Sequence, residues 1–233
     1  DYATDESWGP KYDTNLKYLP WNAFDPEFSN DYLKEKSWVN PENDVRSFFN
    51  TGITRNNSIS FAKSTQDAGV RFSFANQKTE GVVPNSSLTK NTFSINANAK
   101  LSDKLKAEGM ATYVQTRGFN RPEVGYGDNG LGQKFYQWGQ RQLDYDELKD
   151  YKLANGAQRS WNRIAWDDAT PNYSDNPYWI INENTSNDTR NRIYGNGKLT
   201  YNFTPELYAV GNVYADVYNL NITERVAIGS QAT

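Results

Sequence analysis

Apolar and polar side chains alternate with a period of two through residues 51–118. In the first run, residues 51–63, Ile53, Ile59 and Phe61 share one parity, and Thr54, Asn56, Ser58 and Ser60 hold the other. After a polar turn at 64–67, Val70, Phe72 and Phe74 alternate with Arg71, Ser73 and Ala75. Phe93, Ile95, Ala97 and Ala99 then alternate with Ser94, Asn96, Asn98 and Lys100. A second short turn, 101–104, leads to Leu105, Ala107, Gly109, Ala111 and Tyr113, set against Lys106, Glu108 and Thr112, with Met110 as the exception. Residues 189–220 repeat the pattern around a turn at 203–206. Ile193, Leu199 and Tyr201, then Val213, Ala215 and Val217, stand opposite Arg192, Lys198, Asn212 and Asp216. Side chains alternate faces along a strand, so the pattern predicts six strands in three hairpins, each with one apolar and one wet face.

A soluble sandwich shows the same alternation. Two features point instead to an antiparallel transmembrane β-barrel. The runs are about ten to thirteen residues long, against a usual mode of about five to six, and crossing a bilayer at a tilt takes roughly nine to eleven. The apolar parity also accepts Ala and Gly, which underfill a protein core but suit a face against lipid. Phe72, Phe74, Phe93, Ile95, Leu199 and Val213 are expected to face lipid. Ser73, Ser94, Asn96, Lys198 and Asn212 are expected to face a lumen or plug.

The connections alternate in length: long, short, medium, short, very long, short, then a tail. Outer-membrane barrels have short periplasmic turns and long extracellular loops. The turns near Ser64, Ser102 and Thr204 are therefore expected at the periplasmic end. Residues 1–50, 119–188 and 221–233 are expected outside the cell. Within the loops, Pro41 ahead of residues 44–49 predicts a short helix. Asp144 as N-cap with Glu147 at N3 predicts another, running to about Leu153 and ending at Asn155-Gly156.

The chain has 233 residues and a net charge of −3 from 25 basic and 28 acidic side chains, which argues against a nucleic-acid binder. It has no Cys and no His. That rules out disulfides, thiolate chemistry, Cys/His metal sites and histidine acid–base catalysis. A mean hydropathy of −0.88 is too polar for helical spans, but a barrel's strands are only half apolar. The sequence opens without a signal peptide, so it reads as a processed or partial chain.

The loops carry Phe135, Tyr136, Trp138, Trp161, Trp166, Tyr178 and Trp179. Exposed aromatics anchor ligands and interfaces, and Tyr136, Trp138, Trp166 and Trp179 are the candidate contact residues. Packing of the loops on themselves is the competing account. Asp144, Asp146, Glu147 and Asp150 read as a solvated helix rather than paired catalytic carboxylates. Asp167, Asp168 and Asp175 lack EF-hand spacing, so no metal or cofactor is expected. Arg190 and Arg192 are expected to pair with loop carboxylates. The sequons at Asn85, Asn184 and Asn202 read as chance matches.

Several segments, in order, resemble the SusC/RagA-type TonB-dependent outer-membrane transporters. They are residues 6–13 (ESWGPKYD), 48–52 (FFNTG), 57–60 (NSIS) and 81–86 (GVVPNS), then Arg121-Pro122-Glu123 with Gly125-Tyr126-Gly127, Asn176-Pro177-Tyr178-Trp179, and Arg190-Asn191-Arg192 with Gly195. Each is weak alone, and the ordered set covers nearly the whole chain. The sequence departs from the family pattern at Thr14 and at residues 63–66. The resemblance implies a 22-stranded barrel around a plug that imports oligosaccharides or peptides. It implies a SusD-like surface lipoprotein as lid and TonB as energy source through parts outside this chain. On that reading these residues are about six strands of one barrel domain, without the plug, in a bacterial outer membrane, and not an enzyme. The rivals are a secreted β-rich carbohydrate-binding module and a carboxylate-dependent glycan hydrolase. A longer gene product with a plug and further strands, and detergent-dependent solubility, separate the first reading from both.

Overall fold

The computed structural model describes residues 7–231. Its largest feature is an antiparallel sheet of six strands. Two short strands come first, β1 (Asp13–Tyr18) and β2 (Lys36–Trp38), which pair with each other. The sheet then takes β3 (Ile53–Ser64), β4 (Ala68–Glu80), β5 (Ser87–Lys100) and β6 (Leu105–Phe119). Helix α1 (Leu131–Tyr136), the small pair β7 (Arg163–Ala165) and β8 (Asp168–Pro171), and helix α2 (Pro177–Glu183) follow. Strands β9 (Thr185–Asn202) and β10 (Tyr208–Arg225) complete the sheet, in the order β10-β9-β6-β5-β4-β3. The architecture is therefore mainly β and antiparallel, and each main strand pairs with its neighbour in sequence.

The three hairpin turns share one device. Thr65 Oγ1 accepts from Ala68 N, Ser102 Oγ from Leu105 N, and Thr204 Oγ1 from Leu207 N, each at 3.1 Å. A hydroxyl three residues ahead of the N–H it accepts from satisfies a backbone donor that the turn would otherwise leave open. The other end of the sheet has no such economy. There the connections fold into a layer with its own core, in which Phe48, Phe135, Leu148, Trp161, Tyr178 and Ile180 are buried.

Register places residues of equal parity on one face. Ile59, Phe74, Phe93, Tyr113, Ile193 and Val217 form one cross-strand row, and Phe61, Phe72, Ile95, Ala111, Gly195 and Ala215 the next. Phe74 and Phe93 meet with centroids 4.7 Å apart. The alternation read from the sequence thus becomes a continuous apolar band. At Gly195 packing sets the glycine. A Cβ there would stand 2.3 Å from the Met110 carbonyl oxygen, so the close approach of β6 and β9 requires its absence. The opposite face carries Ser60, Ser73, Ser94, Thr112, Tyr194 and Asp216 in one row, with Ser94 and Thr112 hydroxyls 3.0 Å apart.

Several local expectations are corrected. Residues 144–153 hold only a 3-10 turn, Glu147–Lys149. Glu147 does not turn back to cap a helix, because its carboxylate is paired with Lys36 and accepts from Asn22 Nδ2. The chain then reverses through Gly156, whose φ is 84°, with a bridge between Lys152 and Gln158. The turn near Pro41 begins later, at Val45–Phe48, with the Asp44 side chain accepting from Arg46 N. The last hairpin is longer than its apolar pattern suggests. β9 starts at Thr185, and β10 runs to Arg225, through residues 221–225 assigned above to a loop.

Candidate ligand cleft in the loop layer

Two pieces of the chain are stapled together by buried charge. Asp25 accepts from Arg159 Nε at 2.7 Å and from Arg163 Nη1 at 3.0 Å, and all three side chains are buried. One carboxylate faces two guanidiniums, and backbone carbonyls complete the balance. Arg159 donates to Asn22 O, and Arg163 to the carbonyls of Trp21, Ala165 and Trp166. The Arg159 guanidinium also lies 3.5 Å from the Phe28 ring centroid. Buried arginine is tolerated when its fixed fork of donors is satisfied in this way.

Helix α2 is fixed as firmly. Asn176 accepts from Tyr178 N at its N-cap, with Pro177 at the first helical position. Its amide also donates to Leu148 O and Arg159 O. At the other end, Asn85 and Asn120 both donate to Ile181 O, at 2.7 and 2.9 Å. Both asparagines sit at positive φ, 58° and 45°, a conformation their short polar side chains tolerate. These contacts fasten the loop layer to the ends of β4 and β6.

The segment ahead of β1, with Trp38 of β2, forms one wall of an open cleft of about 690 Å³. Trp8, Tyr12 and Trp38 line it, with Tyr136, Gln140 and Arg141 opposite. Trp38 is held by Nε1 donating to Pro10 O, and by rings of Tyr12 and Tyr18 at 5.8 and 5.3 Å. The Tyr12 hydroxyl donates to Arg141 O across the cleft at 2.9 Å. Burial pushes the Tyr12 phenol up, against the opposing charge of Arg141. Burial, followed by the charge of Glu147, pushes Tyr18 up to about 12. Both phenols stay protonated near neutral pH. Among the described residues the lining offers aromatic faces, amides and two cations, Lys11 and Arg141, and no carboxylate. Such a surface can stack against rings and donate to hydroxyls or carbonyls.

The four candidate aromatics are not brought together. Tyr136 is 64% exposed in the cleft. Trp138 is half-buried and meets Tyr126 edge-on at 6.5 Å. Trp166 is exposed beside the β7–β8 turn. Trp179 is 3% exposed, its indole donating to Ser230 Oγ at 2.7 Å, so it packs the layer and presents no contact surface. Trp8, Tyr12 and Trp38 were missed as a group. Their proximity follows from the β1–β2 pairing, which has no strong alternation in the sequence.

The acidic groups serve structure. Asp144 accepts from Asn43 Nδ2 and Asp146 N, and Asp146 pairs with Lys149. Asp168 accepts from Thr170 N. Asp175 accepts from Gln158 Nε2 and Gln231 N, and burial raises its carboxyl above the usual range. Among the described residues no group of three or more acidic side chains is placed to hold a metal ion. Arg192 pairs with Asp216 of β10, not with a loop carboxylate, and Arg190 lies over the Tyr218 ring. No family model matches the chain, and no curated protein matches its sequence.

Proposed function

We propose that the chain is part of the wall and outer loops of a SusC/RagA-type TonB-dependent transporter, importing oligosaccharides or peptides across a bacterial outer membrane. The observation that carries the reading is the apolar band on one face of six long strands, interrupted by Lys63 on edge strand β3 and bounded by tight turns at one end and a folded loop layer at the other. On β6 the band runs from Leu105 to Tyr113. That is about 27 Å along the strand, or roughly 21 Å across a bilayer at a tilt of about 40°. A soluble protein rarely leaves so large an apolar surface open. Hydrocarbon removes the penalty, while each interior strand keeps its backbone donors and acceptors paired with its neighbours.

On this reading the row of Ser73, Ser94 and Thr112 faces the lumen or plug. The loop layer lies outside the cell, and the aromatic cleft meets arriving substrate or a SusD-like lid. TonB acts through parts of the protein outside this chain. The protein moves its substrate without chemistry and needs no cofactor. The test joins topology and uptake in cells carrying the intact protein. A membrane-impermeant thiol reagent is expected to label Ala157→Cys from outside, and Asp103→Cys only after permeabilisation. Tyr136→Ala and Trp38→Ala are expected to lower uptake of labelled oligosaccharide or peptide. Reversed labelling would overturn the orientation. Uptake by no transporter-dependent route would overturn the function.

A further inference from the structure

On the apolar face, the row beyond Phe74, Phe93 and Tyr113 toward the loop layer is Asn57, Asn76, Asn91, Gln115, Asn191 and Asn219. All six strands contribute a side-chain amide. The next row in the same direction is Arg55, Lys78, Thr89, Arg117, Thr189 and Asn221. We propose that these two rows bind the phosphate-bearing headgroups of outer-leaflet lipid. The amides meet the linkage region, and Arg55, Lys78 and Arg117 meet the phosphates. The proposal rests on the transporter-wall reading above.

Asparagine is depleted in strands, so six amides in one register row call for a cause beyond chance. The adjoining row on the opposite face has no such uniformity: Ser58, Ala75, Thr92, Val114, Arg192 and Tyr218. An amide in hydrocarbon forfeits its hydrogen bonds with water, so the row marks where hydrocarbon ends. Within it, Asn76 Nδ2 donates to Asn91 Oδ1 at 2.7 Å. Gln115 Nε2 and the Tyr113 hydroxyl both donate to Asn191 Oδ1, at 3.1 and 2.7 Å. Tyr113 thus belongs to the apolar band by its ring and to the amide row by its tip.

The cations lie two residues further on, about 7 Å along the strand and roughly 5 Å higher at barrel tilt. Arg55 and Lys78 are on adjacent strands, about 5 Å apart, and Arg117 is two strands beyond, about 10 Å away. Arginine grips phosphate with two parallel hydrogen bonds, so this spacing suits a headgroup with more than one phosphate. Among the described residues neither Arg55 nor Arg117 has an ion-pair partner. Lys78 has only Glu80, at 3.5 Å with both side chains about half exposed, a weak tie.

The test uses the intact protein, purified from outer membranes and placed in phosphatidylcholine nanodiscs. Bis-phosphorylated lipid A is titrated in, and bound lipid is counted by native mass spectrometry. The variant carries Arg55→Gln, Lys78→Gln and Arg117→Gln together. A matched control carries Lys90→Gln and Arg190→Gln on the opposite face. Each basic group near an anionic surface is worth a factor of about five, so the triple variant should bind lipid A on the order of a hundredfold more weakly. The control should bind like wild type, inorganic phosphate should not compete, and added salt should shrink the difference. Equal binding by the triple variant, an equal loss in the control, or displacement by inorganic phosphate would overturn the proposal while leaving the wall reading intact. Failure of the wild-type protein to enter nanodiscs at all would overturn the wall reading, and this proposal with it.

Discussion

Val213 and Phe61 on the sheet are 74% and 67% exposed, whereas Phe48 and Leu148 in the loop layer are 1% and 0% exposed. The two regions follow opposite solvent rules. The loop layer is built as water demands, with rings inside, carboxylates tied to donors, and a buried Asp25–Arg159–Arg163 cluster closed by carbonyls. The sheet pairs the backbone of its interior strands and leaves large apolar side chains of one face exposed. The hydroxyl row of Ser73, Ser94 and Thr112 lies on the other face. One chain therefore contains a loop region that buries its rings beside a sheet that leaves an apolar face exposed.

The contrast can be broken most severely from the loop side. Asp25→Ala leaves two guanidiniums buried without a counter-charge, and losing one partner of a buried pair costs about 3–5 kcal/mol. The loop layer should become rapidly cleavable by protease while the sheet stays resistant. Loss of both together would mean that the two regions are one cooperative unit. On the sheet, the transporter-wall proposal places Ile95 at mid-membrane depth, so Ile95→Arg should cost about 2–4 kcal/mol, and Ser94→Arg much less. Denaturant titration in lipid or detergent reads the difference, and equal costs would erase the distinction between faces. Asn176→Ala removes the cap of α2 and two further donor contacts, for about 1–2 kcal/mol. It should show as faster amide exchange along α2, with no change in β5 and β6.

The smallest effect concerns pH. Burial holds the Asp175 carboxyl above its usual range, so the folded layer binds that proton more tightly than the unfolded chain. Its contribution is fully present below the unfolded pKa of about 3.9, and is lost as pH rises through the folded value. Asp175→Asn keeps an acceptor for Gln158 and Gln231 without the charge. Its stability relative to wild type should therefore improve from acid to neutral pH, and a flat difference would show that the burial penalty is fully compensated.

The sheet was legible in the sequence because alternation is a local property. Phe72, Phe74, Phe93 and Ile95 announce their face without knowledge of any partner strand. The amide row was not legible, although every one of its residues was in plain view, because Asn57, Asn76 and Asn91 become neighbours only when register is fixed. The helix expected after Asp144 failed because Glu147 found a tertiary partner in Lys36, a competitor that local capping rules do not see. Helix α2 carried a readable signal, Asn176-Pro177, the N-cap and first-turn pair, which went unused. Trp179 was read as a contact residue because aromatic character alone does not distinguish a binding platform from a core ring. Burial decides, and burial depends on how residues 177–183 pack against residues 148–161.

The most direct test of the central claim is quenching by lipid. The chain has no cysteine, so single-Cys variants in it, made in an intact protein with any cysteine elsewhere replaced, can carry one fluorophore each. Labels at Phe72, Ile95 and Val213, and at Ser73, Ser94 and Asn212, would be compared in the intact protein reconstituted into bilayers with acyl-chain-brominated lipid. The account predicts strong quenching at the first three and little at the second three. Equal quenching on the two faces, or none on either, would contradict it.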